Sequence, residues 1–315
     1  MDYVFCVRSI RNGAFSDEPG ASHFLAVPGN VANPGPQHRI AKTAWLKKVL
    51  EEAESGLDNG MPRGDIVFYV HGFNNDQTTM LARQRKIRAG LEAQGFAGVV
   101  VSFDWPSASS ALNYLEDRTD AKQTALKLVD EGIRSFAALQ RPDCRINLHI
   151  LAHSMGCYVV REAFDDADDR PGIARHSWSV SQVILVAADI SQGSLAAGNP
   201  KSSSLYRHSV RLTNYYNPLD NVLSVSNVKR VGVAPRAGRI GLPPLVPGTA
   251  VNVYCGACYE AHKGEYGGGI NAAHTWYFDD PRVLEDVWHT VRGHLDRHEI
   301  PTRALTDKGN LALRP

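Results

Sequence analysis

The 315-residue sequence predicts an α/β fold: a mostly parallel, doubly wound sheet flanked by helices. Two observations lead there. Short, nearly continuous apolar runs rich in Val, Ile and Phe recur along the chain, as strands buried on both faces require, instead of the alternation of a half-solvated sheet. Between them lie longer segments with apolar spacing near 3.6, which supply the crossover helices that parallel pairing needs.

The elements follow in order. "DYVFCVRSI" and "HFLAV" read as two short strands, and after a Pro/Gly-rich stretch "RIAKTAWLKKVLEEAES" reads as an amphipathic helix. "DIVFYV" (65–70) is a buried strand, "MLARQRKIRAGLEAQG" a helix, "GVVVSF" (98–103) a strand and "AKQTALKLVDEGIRSFAALQ" a long helix. "RINLHIL" (145–151) feeds the helix "SMGCYVVREAF", and the strands "SQVILVAA" (181–188) and "HSVRLTNYY" (208–216) follow. The stretch 231–248 is too rich in Gly and Pro for a helix and reads as an ordered excursion bordering the pocket. "AVNVY" (250–254) and the helix "PRVLEDVWHTVRGHL" close the pattern, with Asp280 as N-cap before Pro281. We expect one domain over 1–315: N-terminal strands and helix (1–60), a catalytic core (61–300) and a C-terminal tail (301–315).

Composition excludes several classes. Hydrophobic residues make up 43% and charged residues 21%, which suits a globular chain, and a formal net charge of +1 offers no field to attract nucleic acid. The start "MDYVFCVRSIRNG" places acid and arginine where a secretory peptide needs an apolar core. No stretch approaches the ~20 apolar residues of a membrane span. A cytoplasmic protein without stable membrane insertion is expected; homo-oligomer formation stays open.

The five cysteines, at 6, 144, 157, 255 and 258, are scattered and expected to be reduced. Cys255 and Cys258 lack the second ligand pair of a zinc site. His294 and His298 stand i, i+4 without an H-E-x-x-H motif, and "DDADDR" (165–170) lacks the glycine and glutamate of a calcium loop. "GSLAAGNPKSSS" (193–204) departs from a phosphate-binding loop in spacing and by Pro200. No metal and no organic cofactor is expected.

In doubly wound sheets ligands bind beyond the carboxyl ends of the strands. Those ends hold "HGFNND" (71–76), "DWPS" (104–107), "AHSMG" (152–156), Asp189, "NPLDN" with Asp220, and a glycine-rich loop ending in "NAAHTWYF" with His274. Ser154 is the candidate nucleophile: a tight strand-to-helix turn exposes Oγ, and Ala152 and Gly156 are the small residues such a turn needs. The N–H groups of Met155 and Phe73 are the candidate oxyanion donors, with Gly72 allowing close backbone approach. His274 is the candidate base and His262 its rival on the same loop. Asp220 is preferred over Asp189 as the acid that orients the imidazole. His71, Gly72, Trp105, His153 and Asp189 are expected around the pocket, with core packing as the alternative for Trp105.

"VFYVHGFNND", "VVVSFDWPS", "LHILAHSMG", "VAADI" and "YNPLDNVLS" resemble a group of bacterial α/β hydrolases of unassigned function, over roughly residues 60–280. The resemblance implies the α/β-hydrolase fold and a Ser-Asp-His triad at Ser154, Asp220 and His274. It also implies that Ala152 is an accepted variant of the usual glycine. The expected function is a carboxylesterase cleaving small-molecule esters, of short to medium acyl chain, through an acyl-enzyme on Ser154. Acyl transfer, thioester or amide cleavage on the same triad, and a non-catalytic binding module, are the alternatives.

Overall fold

The computed structural model describes residues 1–58, 61–107, 114–138, 145–174, 178–228, 234–306 and 310–315. Twelve strands among them join in one sheet: β1 (Asp2–Arg11), β2 (Ala14–Val27), β3 (Arg39–Ile40), β4 (Glu54–Asp58), β5 (Met61–Val70), β6 (Val99–Asp104), β7 (Arg145–His153), β8 (Val180–Val186), β9 (Ser209–Tyr216), β10 (Ala250–Tyr254), β11 (Arg303–Leu305) and β12 (Leu311–Leu313). Their order is β11-β12-β10-β9-β8-β7-β5-β6-β1-β2-β3, with β4 beside β5. From β1 through β6, β5, β7, β8, β9 and β10 to β12 every pairing is parallel, and the hairpins β1–β2, β2–β3, β4–β5 and β11–β12 are antiparallel.

The β-branched runs behave as strands buried on both faces. In β5, Ile66, Phe68 and Val70 enter one apolar cluster, with the helices Lys42–Ala53 and Met155–Asp168. Val67 and Tyr69 enter the other, with Gln77–Glu92 and Pro281–Arg292. This period of two is what a central strand imposes. β6 lies on one side of β5 and β7 on the other, so the chain reverses its winding there and opens a crevice at the carboxyl ends of β5 and β7. Asp280 caps the last helix as expected, its Oδ1 accepting from the N–H groups of Arg282 (2.7 Å) and Val283 (3.0 Å).

Several boundaries differ from expectation. The second N-terminal strand starts at Ala14 instead of His23, because Asn12 (φ 51°) and Gly13 (φ 78°) form a tight hairpin turn that pairs even the polar "AFSDEPGASH" with β1. The first helix loses its ends to β3 and β4 and spans Lys42–Ala53. The long third helix begins earlier, at Tyr114, and carries a π-helical segment Leu128–Ile133 before Arg134–Ala137; positions 139–140 lie outside the described residues.

The tail contributes β11 and β12, anchored by a fully buried Arg303–Asp286 ion pair (2.7 Å). Within 231–248, where no helix was expected, Ala237–Ile240 forms one helical turn; 231–233 lie outside the described residues. Its Gly238 presses on the turn after β8: a Cβ there would stand 2.1 Å from the Ala188 nitrogen. Cys6, Cys157, Cys255 and Cys258 are buried and free, and Cys144 lies outside the described residues. Among the described residues no helix is long and apolar enough to cross a membrane.

Candidate active site

β7 ends at His153 and the helix Met155–Asp168 begins two residues later. Ser154 between them holds φ 53° and ψ −122°, a conformation that costs a non-glycine residue about 1–3 kcal/mol and persists only where the surroundings enforce it. They do so here. The Ser154 N–H donates to the Val186 carbonyl (3.0 Å), and its carbonyl accepts from the N–H groups of Cys157 and Asp189 (both 3.1 Å). Gly156 lets the helix cross the end of β5: a Cβ would stand 2.3 Å from the Val70 oxygen and 2.5 Å from that of His71. Gly72 is pressed as closely on the serine, with a would-be Cβ 2.9 Å from Ser154 Cβ. Ala152 is fully buried in the apolar cluster beneath.

Ser154 Oγ lies 2.9 Å from Nε2 of His274, and Nδ1 of His274 lies 2.7 Å from Oδ2 of Asp220. A carboxylate only accepts, so Nδ1 carries the proton and Nε2 is free to accept from the serine hydroxyl. Asp220 is fully buried, and its Oδ1 accepts from the Leu223 N–H (3.2 Å). Ser154 and His274 each keep 7% exposure. The arrangement can carry a proton from Oγ to the imidazole while the carboxylate steadies the charge that forms. Met155 is the first residue of its helix, so its N–H has no intrahelical acceptor and is available to a developing oxyanion.

Of the other expected site residues, Gly72 and His153 lie against Ser154 and His274, and the rest make different contacts. The Asp189 carboxylate pairs with Nε of buried Arg236 (3.0 Å), and so braces the segment after β8, while Asp220 is the acid on His274. His262 pairs with Glu265 (2.8 Å) on the surface. Trp105 is fully buried; it stacks on His71 (5.4 Å between centroids) and donates Nε1–H to the His71 carbonyl (2.8 Å), so it supports a turn and presents no surface to a ligand. His71 is likewise fully buried, with Nδ1 2.9 Å from the Gly72 oxygen and Nε2 3.3 Å from Oδ1 of Asp104. His153 is buried behind His274: its Nε2–H donates to the His274 carbonyl (2.9 Å) and its ring stands 4.8 Å from that of His274. Burial, and then the neighbouring His274, push its pKa far below the usual histidine value, so it stays neutral. Among the described residues no group of three His, Cys, Asp or Glu side chains is placed to hold a metal ion.

One cluster lay outside the sequence reading. Arg8 of β1 and Asp104 at the end of β6, both buried, pair at 2.8 Å, and Arg8 Nη2 reaches the Asn75 carbonyl (3.2 Å). Burial alone would raise the Asp104 pKa; the Arg8 charge and the His71 hydrogen bond override it and hold this carboxyl well below the usual carboxylate range. Ser107 donates to the same Asn75 carbonyl (3.0 Å). Asn75, Asp104 and Ser107 stand in the quoted strand-end motifs, which is the signal that could have found them; Arg8 carried none.

A strained serine turn at a switch point, between crossover helices of a parallel sheet, defines the class: an α/β-hydrolase fold. The family model described as "Alpha/beta hydrolase of unknown function (DUF900)" matches residues 43–241, and the chain belongs to that family. The match contains Ser154 and Asp220; His274 and Arg8 lie outside it. The chain is 24% identical over 236 residues to the uncharacterized protein alr1448 of Nostoc sp. (strain PCC 7120), covering 61% of this chain and 58% of that one, so it spans little more than half of that relative. Among solved structures it is similar to a cutinase-like protein from Cryptococcus sp. (14% identity, 76% of this chain and 97% of the other, TM-score 0.39). It is also similar to a metagenome-derived lipolytic enzyme of the LipS and LipT study (11% identity, 73% and 94%, TM-score 0.39).

Proposed function

We propose that the protein is a serine hydrolase that cleaves carboxylic esters of small molecules through an acyl-enzyme on Ser154. The observation that carries this reading is the unbroken chain from Ser154 Oγ to His274 (2.9 Å) and on to Asp220 (2.7 Å), ending on a serine whose backbone is held in a strained turn. Residue types alone do not make a nucleophile; the line of proton acceptors does.

In this reading Nε2 of His274 takes the Oγ proton as Oγ attacks the ester carbonyl. Negative charge collects on the carbonyl oxygen, which accepts hydrogen bonds from the N–H groups of Met155 and Phe73. Asp220, with one oxygen on Nδ1–H and the other on the Leu223 N–H, stabilises the imidazolium. His274 returns its proton to the departing alkoxide, leaving the acyl group on Ser154. A water then gives its proton to His274, attacks the acyl carbonyl, and the acid leaves as Oγ regains its proton. His153, anchored on the His274 carbonyl, holds the imidazole between serine and acid through these transfers.

Hydrolysis of p-nitrophenyl acetate and butyrate, measured for the wild type and Ser154→Ala, tests the reading. We expect turnover by the wild type and a fall in kcat on the order of 10⁵–10⁶ in the variant. Equal rates in the two proteins contradict it.

A further inference from the structure

Resting on that reading, we propose that Asn75 is the positioning residue of the oxyanion site and that Arg8 of the N-terminal strand braces it. In a planar trans peptide the carbonyl of Gly72 and the N–H of Phe73 point in opposite directions, so whatever holds the first aims the second. The Gly72 oxygen is held twice, by Asn75 Nδ2 (2.8 Å) and by His71 Nδ1 (2.9 Å). Asn75 Nδ2 also reaches the Phe73 oxygen (3.1 Å). One buried amide thus fixes two successive carbonyls on its own side and turns the Phe73 N–H away from it. The turn so held is pressed against Ser154 through Gly72.

Such a turn needs external support, because Asn74 between these residues holds φ 54°. Asn75 receives that support on every polar group. Its Oδ1 accepts from Arg83 Nη1 (2.5 Å), its N–H faces Ser107 Oγ (3.3 Å), and its carbonyl accepts from Ser107 Oγ (3.0 Å) and Arg8 Nη2 (3.2 Å). Arg8 is in turn fixed by Asp104 (2.8 Å) and Asp17 (2.7 Å), and Asp104 by Gln77 (2.8 Å). The brace therefore crosses from β1 through the end of β6 to the loop after β5. Arg8 lies outside the residues that the family model matches, so the N-terminal hairpin of this chain takes part in building its site.

The test uses Asn75→Ala, Arg8→Lys and the double variant. kcat and KM for p-nitrophenyl butyrate are measured, with the affinity for n-butylboronic acid, whose serine adduct places an oxygen where the oxyanion forms. Asn75→Ala is expected to lower kcat by about 100-fold with KM within about threefold, and to weaken the boronic acid by a similar factor. Arg8→Lys keeps the charge beside Asp104 but loses the reach to Asn75, and a fall in kcat of about tenfold is expected. The double variant should be no worse than Asn75→Ala alone, since the brace acts through that residue.

If Asn75→Ala does not fold, Arg8→Lys carries the test: its loss in kcat must be matched by a loss in boronic acid affinity. A kcat within threefold of wild type in every folded variant overturns the proposal, as does a loss of kcat with boronic acid affinity unchanged or multiplicative losses in the double variant. Those results leave the hydrolase reading standing. Wild-type protein without Ser154-dependent turnover overturns that reading and this proposal with it.

Discussion

His274 and Asp220 stand 2.7 Å apart beyond β10 and β9; His71 and Asp104 stand 3.3 Å apart at the ends of β5 and β6. Both pairs are buried, both stand at or beyond the carboxyl ends of strands of the parallel sheet, and both consist of the same residue types. The third partner separates them. Asp104 is bonded to Arg8 and Gln77, and the far nitrogen of His71 is spent on the Gly72 carbonyl. Asp220 has a backbone N–H on one oxygen and, among the described residues, no arginine or lysine, so its charge is left to His274. The far nitrogen of His274 faces a hydroxyl. In the hydrolase we propose, what lies at its two ends makes one histidine–acid pair a proton carrier and the other a strut.

Replacing one acid in each pair should separate these roles. Asp220→Asn is expected to lower kcat by about 10³–10⁴, the scale of a lost imidazole orientation, with little change in stability. Asp189→Asn, whose carboxylate serves Arg236, should cost kcat less than about tenfold. A large kcat loss only in the Asp189 variant reverses the assignment.

Asp104→Asn strikes the strut. It leaves the buried Arg8 guanidinium with only the half-exposed Asp17 carboxylate to balance its charge, and urea unfolding should show a loss of about 3 kcal/mol, several times that of Asp220→Asn. Equal stability losses in the two variants would erase the distinction between the pairs.

The smallest effect belongs to His153, which packs beside His274. Its folded pKa is depressed, so below the unfolded value of about 6.5 the unfolded chain binds a proton that the folded chain refuses. Stability must then fall as pH drops below that value, by at most about 1.4 kcal/mol per pH unit from this residue. His153→Gln should flatten that part of the profile in urea unfolding at pH 7 and pH 5. An unchanged slope contradicts a neutral, buried His153.

Much of this architecture was legible from order along the chain. Strand runs and helix periods marked the parallel sheet, and the rule of the carboxyl ends narrowed the candidates to Ser154, His274 with His262 as rival, and Asp220 before Asp189; the fold brings Ser154, His274 and Asp220 into hydrogen-bond contact. What stayed hidden depends on distance along the chain. Arg8 meets Asp104 across 96 positions, and nothing local marks an arginine in an apolar strand as a brace. Trp105 sits one residue past a strand end like a pocket wall, yet its indole turns inward to His71. β11 and β12 are three residues each, too short for a periodic signal, and exist because β10 offers an edge. The hairpin turn Asn12-Gly13 was readable; the polar strand after it hid the pairing.

The most direct measurement of the central claim is labelling with a fluorophosphonate, followed by peptide mapping of the modified residue. Covalent attachment requires a nucleophile that is activated, reachable and faced by oxyanion donors at once. We expect one modified residue, Ser154, with labelling lost in Ser154→Ala and strongly slowed in His274→Gln. Absence of labelling in the folded wild type, or modification at another serine that persists in Ser154→Ala, would contradict it.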